Sequence, residues 1–170
     1  GDGDMDVLSA SQFDDKIAWY ENDGSESFTE HAISTSANGA TGVYAADVDG
    51  DGDMDVLSAS RDDNKIAWYE NDGSQVFTEN VISTSADYAV SVYSADVDED
   101  GDMDVLSASV EDYKIAWYEN DGSETFTENV ISTSANGPWS VHAVDVDGDG
   151  DMDVLSASRD DDKIAWYEND

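Results

Sequence analysis

Short apolar runs separated by polar turns recur along the whole chain. In one unit the runs cover residues 42–47, 54–60, 65–70 and 76–83, and Asp, Asn, Gly or Ser residues lie between them. Runs of this length that are rich in Val, Ile, Tyr and Trp predict β-strands, which we call strands a, b, c and d in chain order. No segment shows the period of an amphipathic helix. The pattern therefore predicts an all-β fold.

The unit repeats every 49 residues, so that Asp47, Asp96 and Asp145 occupy the same position. Four short strands per unit and a period of roughly 40–50 residues are typical of a β-propeller blade. Strand c supports this prediction, because residues 66–69 are apolar at four successive positions. Such a run is expected where both faces of a strand are buried between neighbouring blades.

The ends of the chain interrupt the repeat. The strand order is b-c-d, a-b-c-d, a-b-c-d, a-b-c, which gives 14 strands, or about three and a half blades, in one segment that covers residues 1–170. The predicted units are a partial blade at 1–41, blades at 42–90 and 91–139, and a partial blade at 140–170. We expect further blades of a larger propeller, or a second copy of the chain, to complete this array.

The aromatic residues indicate where a core lies. Five Trp and eight Tyr recur in register and favour a packed interior over the disorder that high charge would otherwise indicate. Trp139 has no counterpart in the other units, where Thr41 and Val90 stand, and is predicted to be an exposed contact in the link between strands d and a. The tryptophans of strand c are predicted core residues, with a row of sugar-stacking rings as the alternative. They are Trp19, Trp68, Trp117 and Trp166.

The charge of the chain limits its partners. Against 42 acidic residues there are 6 basic ones, and the formal net charge is −36. Nucleic acid and anionic membrane surfaces are therefore poor partners. No apolar run approaches the length of a membrane-spanning helix, so we expect no membrane insertion.

An acidic loop lies between strands a and b of each unit. Asp47, Asp49 and Asp51 occupy positions 1, 3 and 5, Gly52 allows a sharp reversal at position 6, and Asp55 stands at position 9. Position 7 can offer a backbone carbonyl. Oxygen ligands at these intervals suit calcium, whereas magnesium demands octahedral geometry and zinc or copper would use His or Cys. The sequence therefore predicts calcium as the cofactor.

The loop has two other interpretations. An EF-hand would continue to a Glu at position 12 between two helices, but position 12 is Ser58 in a strand-like run. A solvated acidic turn that binds nothing is the second alternative. It leaves the repulsion among five Asp within nine residues uncompensated.

The loop, the apolar strand after it and the following Trp-Tyr-Glu-Asn-Asp-Gly segment resemble the FG-GAP/VCBS repeat family, the blades of integrin α-subunit-like propellers, in its bacterial branch. The resemblance implies a seven-bladed propeller in a complete protein, with calcium between strands a and b. Glu99 replaces a Gly at a position that is not a ligand, and the partial first loop, with Asp2, Asp4 and Asp6, should bind weakly or not at all. The implied ligands, with the position-7 residues contributing their carbonyls, are Asp47, Asp49, Asp51, Asp53, Asp55, Asp96, Asp98, Asp100, Asp102, Asp104, Asp145, Asp147, Asp149, Asp151 and Asp153.

Three functions are compatible with these features. The first is a calcium-stabilised, non-enzymatic module of an exported or cell-surface protein that acts in adhesion, assembly or ligand binding, with a surface protein as its partner. Extracellular millimolar calcium favours this location. The alternative is a lectin-like propeller that binds glycans in pockets repeated between blades. A non-catalytic accessory segment of a polysaccharide-active enzyme is less favoured, and His31 and His142 belong to no repeated catalytic constellation.

Overall fold

The computed structural model describes residues 3–169. This part of the chain forms fourteen β-strands and no helix, so within it there is no helix long and apolar enough to cross a membrane. The all-β class predicted from the sequence is confirmed. The strands are β1 (Val7–Ser11), β2 (Lys16–Asn22), β3 (Phe28–Ser34), β4 (Ala40–Ala46), β5 (Asp55–Ser60), β6 (Lys65–Asn71), β7 (Phe77–Ser83), β8 (Ala89–Ala95), β9 (Asp104–Ser109), β10 (Lys114–Asn120), β11 (Phe126–Ser132), β12 (Pro138–Val144), β13 (Asp153–Ser158) and β14 (Lys163–Tyr167).

The strands form four antiparallel sheets in chain order. The first sheet is β1-β2-β3, the second β4-β5-β6-β7, the third β8-β9-β10-β11 and the fourth β12-β13-β14. Strands b and c pair tightly, with Ser60 opposite Lys65, and the turn between them closes through Asn64 at φ 57°. Asn tolerates this left-handed conformation better than most residues. The four sheets correspond to the repeat units, and the described residues do not form a closed propeller.

Strand a begins earlier than predicted. In the second sheet β4 starts at Ala40, and its register against β5 shifts between Ala40 and Gly42, so that Thr41 is a bulged residue. The same shift places Trp139 inside β12. The prediction that Trp139 lies in the link between strands is therefore wrong, although its side chain is 49% exposed. A bulge adds a residue without breaking the strand, and alternation of polar and apolar residues does not reveal it.

Both faces of the inner sheets are buried, as the four successive apolar residues of strand c predicted. In the second sheet Leu57 and Trp68 lie on the side that faces the third sheet, which we call the front face. Val56 and Tyr69 lie on the opposite side, facing the first sheet, which we call the back face. All four side chains are at most 3% exposed. Alternation along a strand places neighbouring residues on opposite faces, so each strand serves two interfaces.

The core consists of three layers between successive sheets. Between the second and third sheets, Trp68 packs in one cluster with Val105 and Tyr118. Equivalent clusters join the first sheet to the second around Ile17, and the third to the fourth around Leu106. Each layer repeats the same residue types because the unit repeats.

Hydrogen bonds also join successive sheets. The Thr41 hydroxyl donates to the Ala89 carbonyl of the third sheet at 2.8 Å. The Asn120 side-chain amide donates to Met103 O in its own unit at 3.2 Å and to Val48 O in the preceding unit at 3.4 Å. Asn169 makes the corresponding bond to Val97 O at 2.9 Å. The first and second complete acidic loops are thereby attached to the sheets that follow them.

The exposure of each strand-c tryptophan depends on the position of its sheet in the array. Trp19 and Trp68 are 9% and 1% exposed, and Trp117 packs against the layer between the third and fourth sheets. Trp166 is 45% exposed. The core prediction is confirmed for the first three and is wrong for Trp166, because no described strand lies beyond the front face of the fourth sheet.

The Asn120→Ala substitution tests the bonds between sheets. Asn120 is 2% exposed, and its loss leaves the Val48 and Met103 carbonyls without this donor. We expect the free energy of unfolding in urea to fall by about 1–3 kcal/mol. Asn22→Ala is the control, since the Asn22 side chain donates to Met5 O and accepts the Gly24 amide, both within its own unit. Equal losses in the two variants would contradict a role between sheets.

Candidate functional site: three acidic loops

Each complete loop brings three carboxylates together. In every loop the residues at positions 1, 3 and 9 each place an oxygen within 4.8 Å of the other two. Strand a ends directly before the loop and strand b begins at position 9, so two paired strands hold the ends of the cluster in place. The three clusters are Asp47, Asp49 and Asp55; Asp96, Asp98 and Asp104; and Asp145, Asp147 and Asp153.

Asp55 anchors its loop. The side chain is fully buried, and its two oxygens accept hydrogen bonds from the amides of Val48 at 3.0 Å and Asn71 at 2.8 Å. One carboxylate thus joins the start of the loop, the start of strand b and the end of strand c. Asp104 and Asp153 make the equivalent pairs of bonds. Removing this carboxylate would release two backbone donors as well as a candidate ligand.

The protein donates fewer hydrogen bonds to the Asp47 carboxylate than to that of Asp55. Its Oδ2 accepts the Gly52 amide at 3.1 Å, but its Oδ1 is buried without a hydrogen-bond partner. Asp96 has the same orphaned Oδ1, whereas Asp145 uses its Oδ1 to accept the Gly148 amide at 2.6 Å. A buried oxygen with no donor is unfavourable unless a cation or a water molecule satisfies it.

Asp49 and Asp51 shape the loop from within. The Oδ1 of Asp49 accepts the Asp51 amide at 3.1 Å, and the Oδ1 of Asp51 accepts the Asp53 amide at 2.8 Å. Gly52 lies between Asp51 and Asp53 at φ 97°, which only glycine adopts readily. Asp49 joins the cluster of three, whereas Asp51 does not.

The Asp53 side chain points away from the cluster. A β-carbon added to Gly73 would lie 2.5 Å from an Asp53 carboxylate oxygen, so the side chain rests on the turn between strands c and d. Asp102 rests on Gly122 in the same way. This placement agrees with the prediction that position 7 contributes its carbonyl rather than its carboxylate, a role that stays a prediction.

Sequence reasoning missed the supporting role of the Asn-Asp-Gly turn. Asn71 donates its amide to Asp55 and its side chain to Met54 O at 3.2 Å, and Gly73 leaves room for Asp53. The recurrence of Asn-Asp 16 residues after each position-9 Asp, visible between Asp55 and Asn71, was the available signal.

The negative charge of the loops is energetically unfavourable without a cation. Burial raises the pKa of Asp55 and Asp104, although the backbone amides act in the opposite direction. Burial, together with repulsion from neighbouring loop carboxylates, also raises the pKa of Asp49 and Asp98. At Asp153 the amides of Asn169 and Val146 prevail and lower the pKa. In the two inner loops the ionised form is therefore disfavoured without a cation.

Repulsion also extends between neighbouring loops. The pKa of Glu99 in the second complete loop is raised, first by the charge of Asp151 in the third. Glu99 adopts φ 61°, at a position where Gly50 and Gly148 stand in the other loops. The loops of adjacent sheets therefore lie close enough to repel one another, and cations would relieve this repulsion.

The partial first loop lacks such a cluster. Asp2 lies outside the described residues, and within residues 3–169 no three acidic groups converge at this loop. Asp6 Oδ1 still accepts the Asn22 amide at 2.9 Å, as its counterparts do. Asp4 lies against Gly24. The loop retains its structural anchor without the convergence of three carboxylates.

The donor set of the complete loops fits a hard cation. Each cluster offers carboxylate oxygens and no nitrogen or sulfur, and two of them include an orphaned buried oxygen. Oxygen-only sites favour calcium or magnesium over zinc and copper. The clusters could therefore hold a metal ion, and calcium in particular is considered below.

The two histidines lie apart from the loops. His31 stacks on Trp19 with ring centroids 4.4 Å apart and pairs with Glu21 at 3.1 Å. His142 meets the Tyr93 ring edge-on at 4.3 Å. Both contacts pack one ring against another, and neither brings a histidine next to an acidic cluster.

Two hollows occur at different positions of the repeat. One, of about 420 Å³, lies between the first and second sheets beside Leu8, Trp19 and Phe77. The other, of about 280 Å³, lies on the front face of the fourth sheet beside Trp139 and Ile164. The two hollows lie at non-equivalent positions of the repeat, and the lectin-like alternative stays a prediction.

Comparison with known families identifies the repeat. The FG-GAP-like repeat model matches residues 1–58, 47–107 and 96–156. The comparison with curated proteins gave no match. The family match agrees with three complete acidic loops between strands a and b and with four-stranded sheets of one repeated sequence. The chain belongs to the FG-GAP-like repeat family.

Proposed function

We propose that this chain is a calcium-stabilised, non-enzymatic propeller module of an exported or cell-surface protein, acting in adhesion or assembly. The observation that carries the proposal is the convergence of three carboxylates in each loop. The orphaned oxygens of Asp47 and Asp96 support it. Bound calcium would supply positive charge and additional oxygen coordination at these clusters.

The role of the cation follows from what the loops hold together. Asp55 already joins strand b to strand c, and Val48 of the same loop accepts a bond from Asn120 of the next sheet. Neutralising the loop charge would therefore stabilise one sheet and its contact with the next. Binding to the folded state alone contributes about 2.7 kcal/mol when the free metal is at a hundredfold excess over Kd.

The non-enzymatic part of the proposal rests on where the carboxylates and histidines lie and what they contact. The carboxylates that converge belong to the acidic loops, and both histidines pack against aromatic rings. Adhesion and assembly rest on the family and on the extended surface of a repeat module. Extracellular calcium concentrations suit open, carboxylate-rich loops of this type.

Thermal unfolding tests the calcium proposal. We expect Tm to rise when calcium is added to chelated protein, by on the order of 5–10 °C for each site that fills. Magnesium at the same concentration should raise Tm less, because it is reluctant to lose its water and accept an irregular oxygen shell. Circular dichroism measures both. An unchanged Tm with calcium would refute the structural role.

The Asp47→Asn variant tests whether the Asp47 carboxylate is a calcium ligand or has only a structural role. Asn keeps an oxygen that can accept the Gly52 amide but removes the charge from the cluster. We expect calorimetric titration to give one calcium site fewer than the wild-type chain, with Tm in chelator unchanged or higher. Glu111→Gln is the control, because this exposed residue in the turn between β9 and β10 loses the same charge outside the loops. Equal calcium stoichiometry in wild type and Asp47→Asn would contradict the assignment.

The pH dependence of stability should reverse with calcium. The pKa values of Asp49, Asp55, Asp98 and Asp104 are raised in the folded chain, so their contribution favours folding at low pH and is lost as the pH rises through these values. Metal-free protein should therefore become more stable to urea as the pH falls from 7 toward the ordinary carboxyl range, about pH 4. With calcium the same change should destabilise it, because protons compete for the ligands. The same trend in both conditions would contradict cation binding at the loops.

A further inference from the structure

Two of the links between strand d and the next strand a have the same sequence. Residues 33–39 and 131–137 both read Ile-Ser-Thr-Ser-Ala-Asn-Gly, so that Asn38 and Asn136 each precede a glycine. In both links the Asn is exposed and the Gly is buried. The two glycines adopt nearly the same left-handed conformation, at φ 64° and 65°. The two Asn-Gly pairs therefore share local sequence and backbone shape, and they differ in what surrounds them.

An Asn-Gly pair can react with itself in water. The backbone nitrogen of the glycine attacks the side-chain amide carbon of the Asn and forms a new carbon–nitrogen bond. The side-chain amide nitrogen leaves as ammonia and takes up the proton of the glycine N–H. Water then opens the five-membered succinimide at either carbonyl, which gives aspartate or isoaspartate. Glycine favours the first step because no β-carbon obstructs it and its backbone is permissive, so the state of the glycine N–H controls the rate.

In the first link a carboxylate holds the glycine nitrogen. The Gly39 amide donates to Asp15 Oδ1 at 2.9 Å. Attack on the Asn38 side chain requires this nitrogen to lose its proton and to move. A hydrogen bond to a carboxylate opposes both, because it fixes the N–H and because the adjacent negative charge disfavours a nitrogen anion. The Ala40 amide also closes the turn by donating to Ala37 O at 3.0 Å.

In the third link both restraints are missing. Tyr113 stands where the first unit has Asp15, and it offers no carboxylate to the Gly137 amide. Within residues 3–169 the Gly137 amide donates no hydrogen bond. Pro138 stands where the first link has Ala40, and proline has no N–H with which to close the turn. The nitrogen next to the Asn136 side chain is therefore the less restrained of the two.

The remaining contacts of the two links are matched. The carbonyls of Asn38 and Asn136 each accept a backbone amide of the following unit at 3.1 Å. The second link shows that the turn residue ordinarily accepts the link amide, since Asn64 Oδ1 accepts the Tyr88 amide at 3.1 Å. Tyr113 is thus the departure from a contact that the other two links make.

We propose that Asn136 is a site of spontaneous deamidation and that the folded chain protects Asn38, in the same heptapeptide, from this reaction. The fold accommodates the aspartate product, because Asp87 stands at this position in the second link and its carbonyl accepts the Glu111 amide at 3.1 Å. The isoaspartate product instead adds a methylene to the main chain between β11 and β12. Folded molecules therefore become heterogeneous in charge and backbone at the junction of the third and fourth sheets.

Peptide mapping by mass spectrometry tests the proposal on wild-type chain that is kept folded in mildly alkaline buffer with calcium. Tryptic peptides carry Asn38 and Asn136 separately, and each reports the mass gain from amide to acid over time. We expect Asn136 to react at least roughly tenfold faster than Asn38, which corresponds to about 1.4 kcal/mol of activation free energy. Equal rates, a faster reaction at Asn38, or an Asn136 that stays intact while unfolded chain reacts would overturn the proposal.

The unfolded chain is the internal control. In concentrated urea the hydrogen bonds of both links are lost, and the two identical heptapeptides should deamidate at the same rate. The ratio of the two rates should therefore fall to about one on unfolding. A ratio in urea as large as that in the folded chain would assign the cause to the sequence beyond the heptapeptide, at Pro138, and would refute protection by the fold.

Two substitutions at the turn position test the cause in opposite directions. Asp15→Ala should raise the rate at Asn38 toward that at Asn136, and Tyr113→Asp should lower the rate at Asn136 toward that at Asn38. Glu111→Gln is the control, because this exposed charge lies in the same turn and should leave both rates unchanged. Either variant decides the matter if the other does not fold, and unchanged rates in a folded Asp15→Ala or Tyr113→Asp chain would contradict the proposal. The result does not depend on the calcium proposal, since neither link contains a loop carboxylate.

Discussion

The structure depends on a buried carboxylate at the start of strand b in each complete unit. Asp55, Asp104 and Asp153 are fully buried, and each holds two backbone amides from different parts of its unit. No hydroxyl or amide side chain could supply two strong acceptors in that position. Burying an anion is costly, so each unit contains a buried charge whose desolvation the surrounding groups must offset. The other acidic residues of the loop add to that charge, which a metal ion held at the cluster would offset.

The second constraint is that every sheet is apolar on both faces. A single unit cannot bury two apolar faces by itself, and stacking neighbours is the way in which repeat proteins solve this problem. The inner sheets succeed, as the near-zero exposure of Leu57, Ile66 and Leu106 shows. The outer faces at Val7 and Ile164 do not, because their partners are absent from the described chain. Exposure therefore varies with position in the array while the sequence of the strand stays the same.

Much of the fold was predictable from the sequence, because the same strand and turn patterns recur in every unit. The strands, their order and the position-9 Asp in a buried strand follow from apolar runs and turn residues. The bulge at Thr41, and with it the location of Trp139, was not predictable, since a bulge changes pairing without changing the pattern. The exposure of Trp166 depends on what lies beyond the sheet, which no local signal contains. The pairing of Asn120 with Val48 joins residues 72 positions apart, and periodicity alone does not specify it.

The bonds from one unit's Asn to the preceding unit's loop have a consequence for how such a chain can change in length. Each sheet contacts only its neighbours, through an apolar layer and a bond such as that between Asn169 and Val97. Insertion of one whole 49-residue unit therefore creates one complete junction and leaves the existing junctions intact. Insertion of part of a unit would shift the register of every residue that makes a junction. The fold therefore tolerates duplication in whole units. Repeated duplication of this kind gives an array of units with nearly identical sequences.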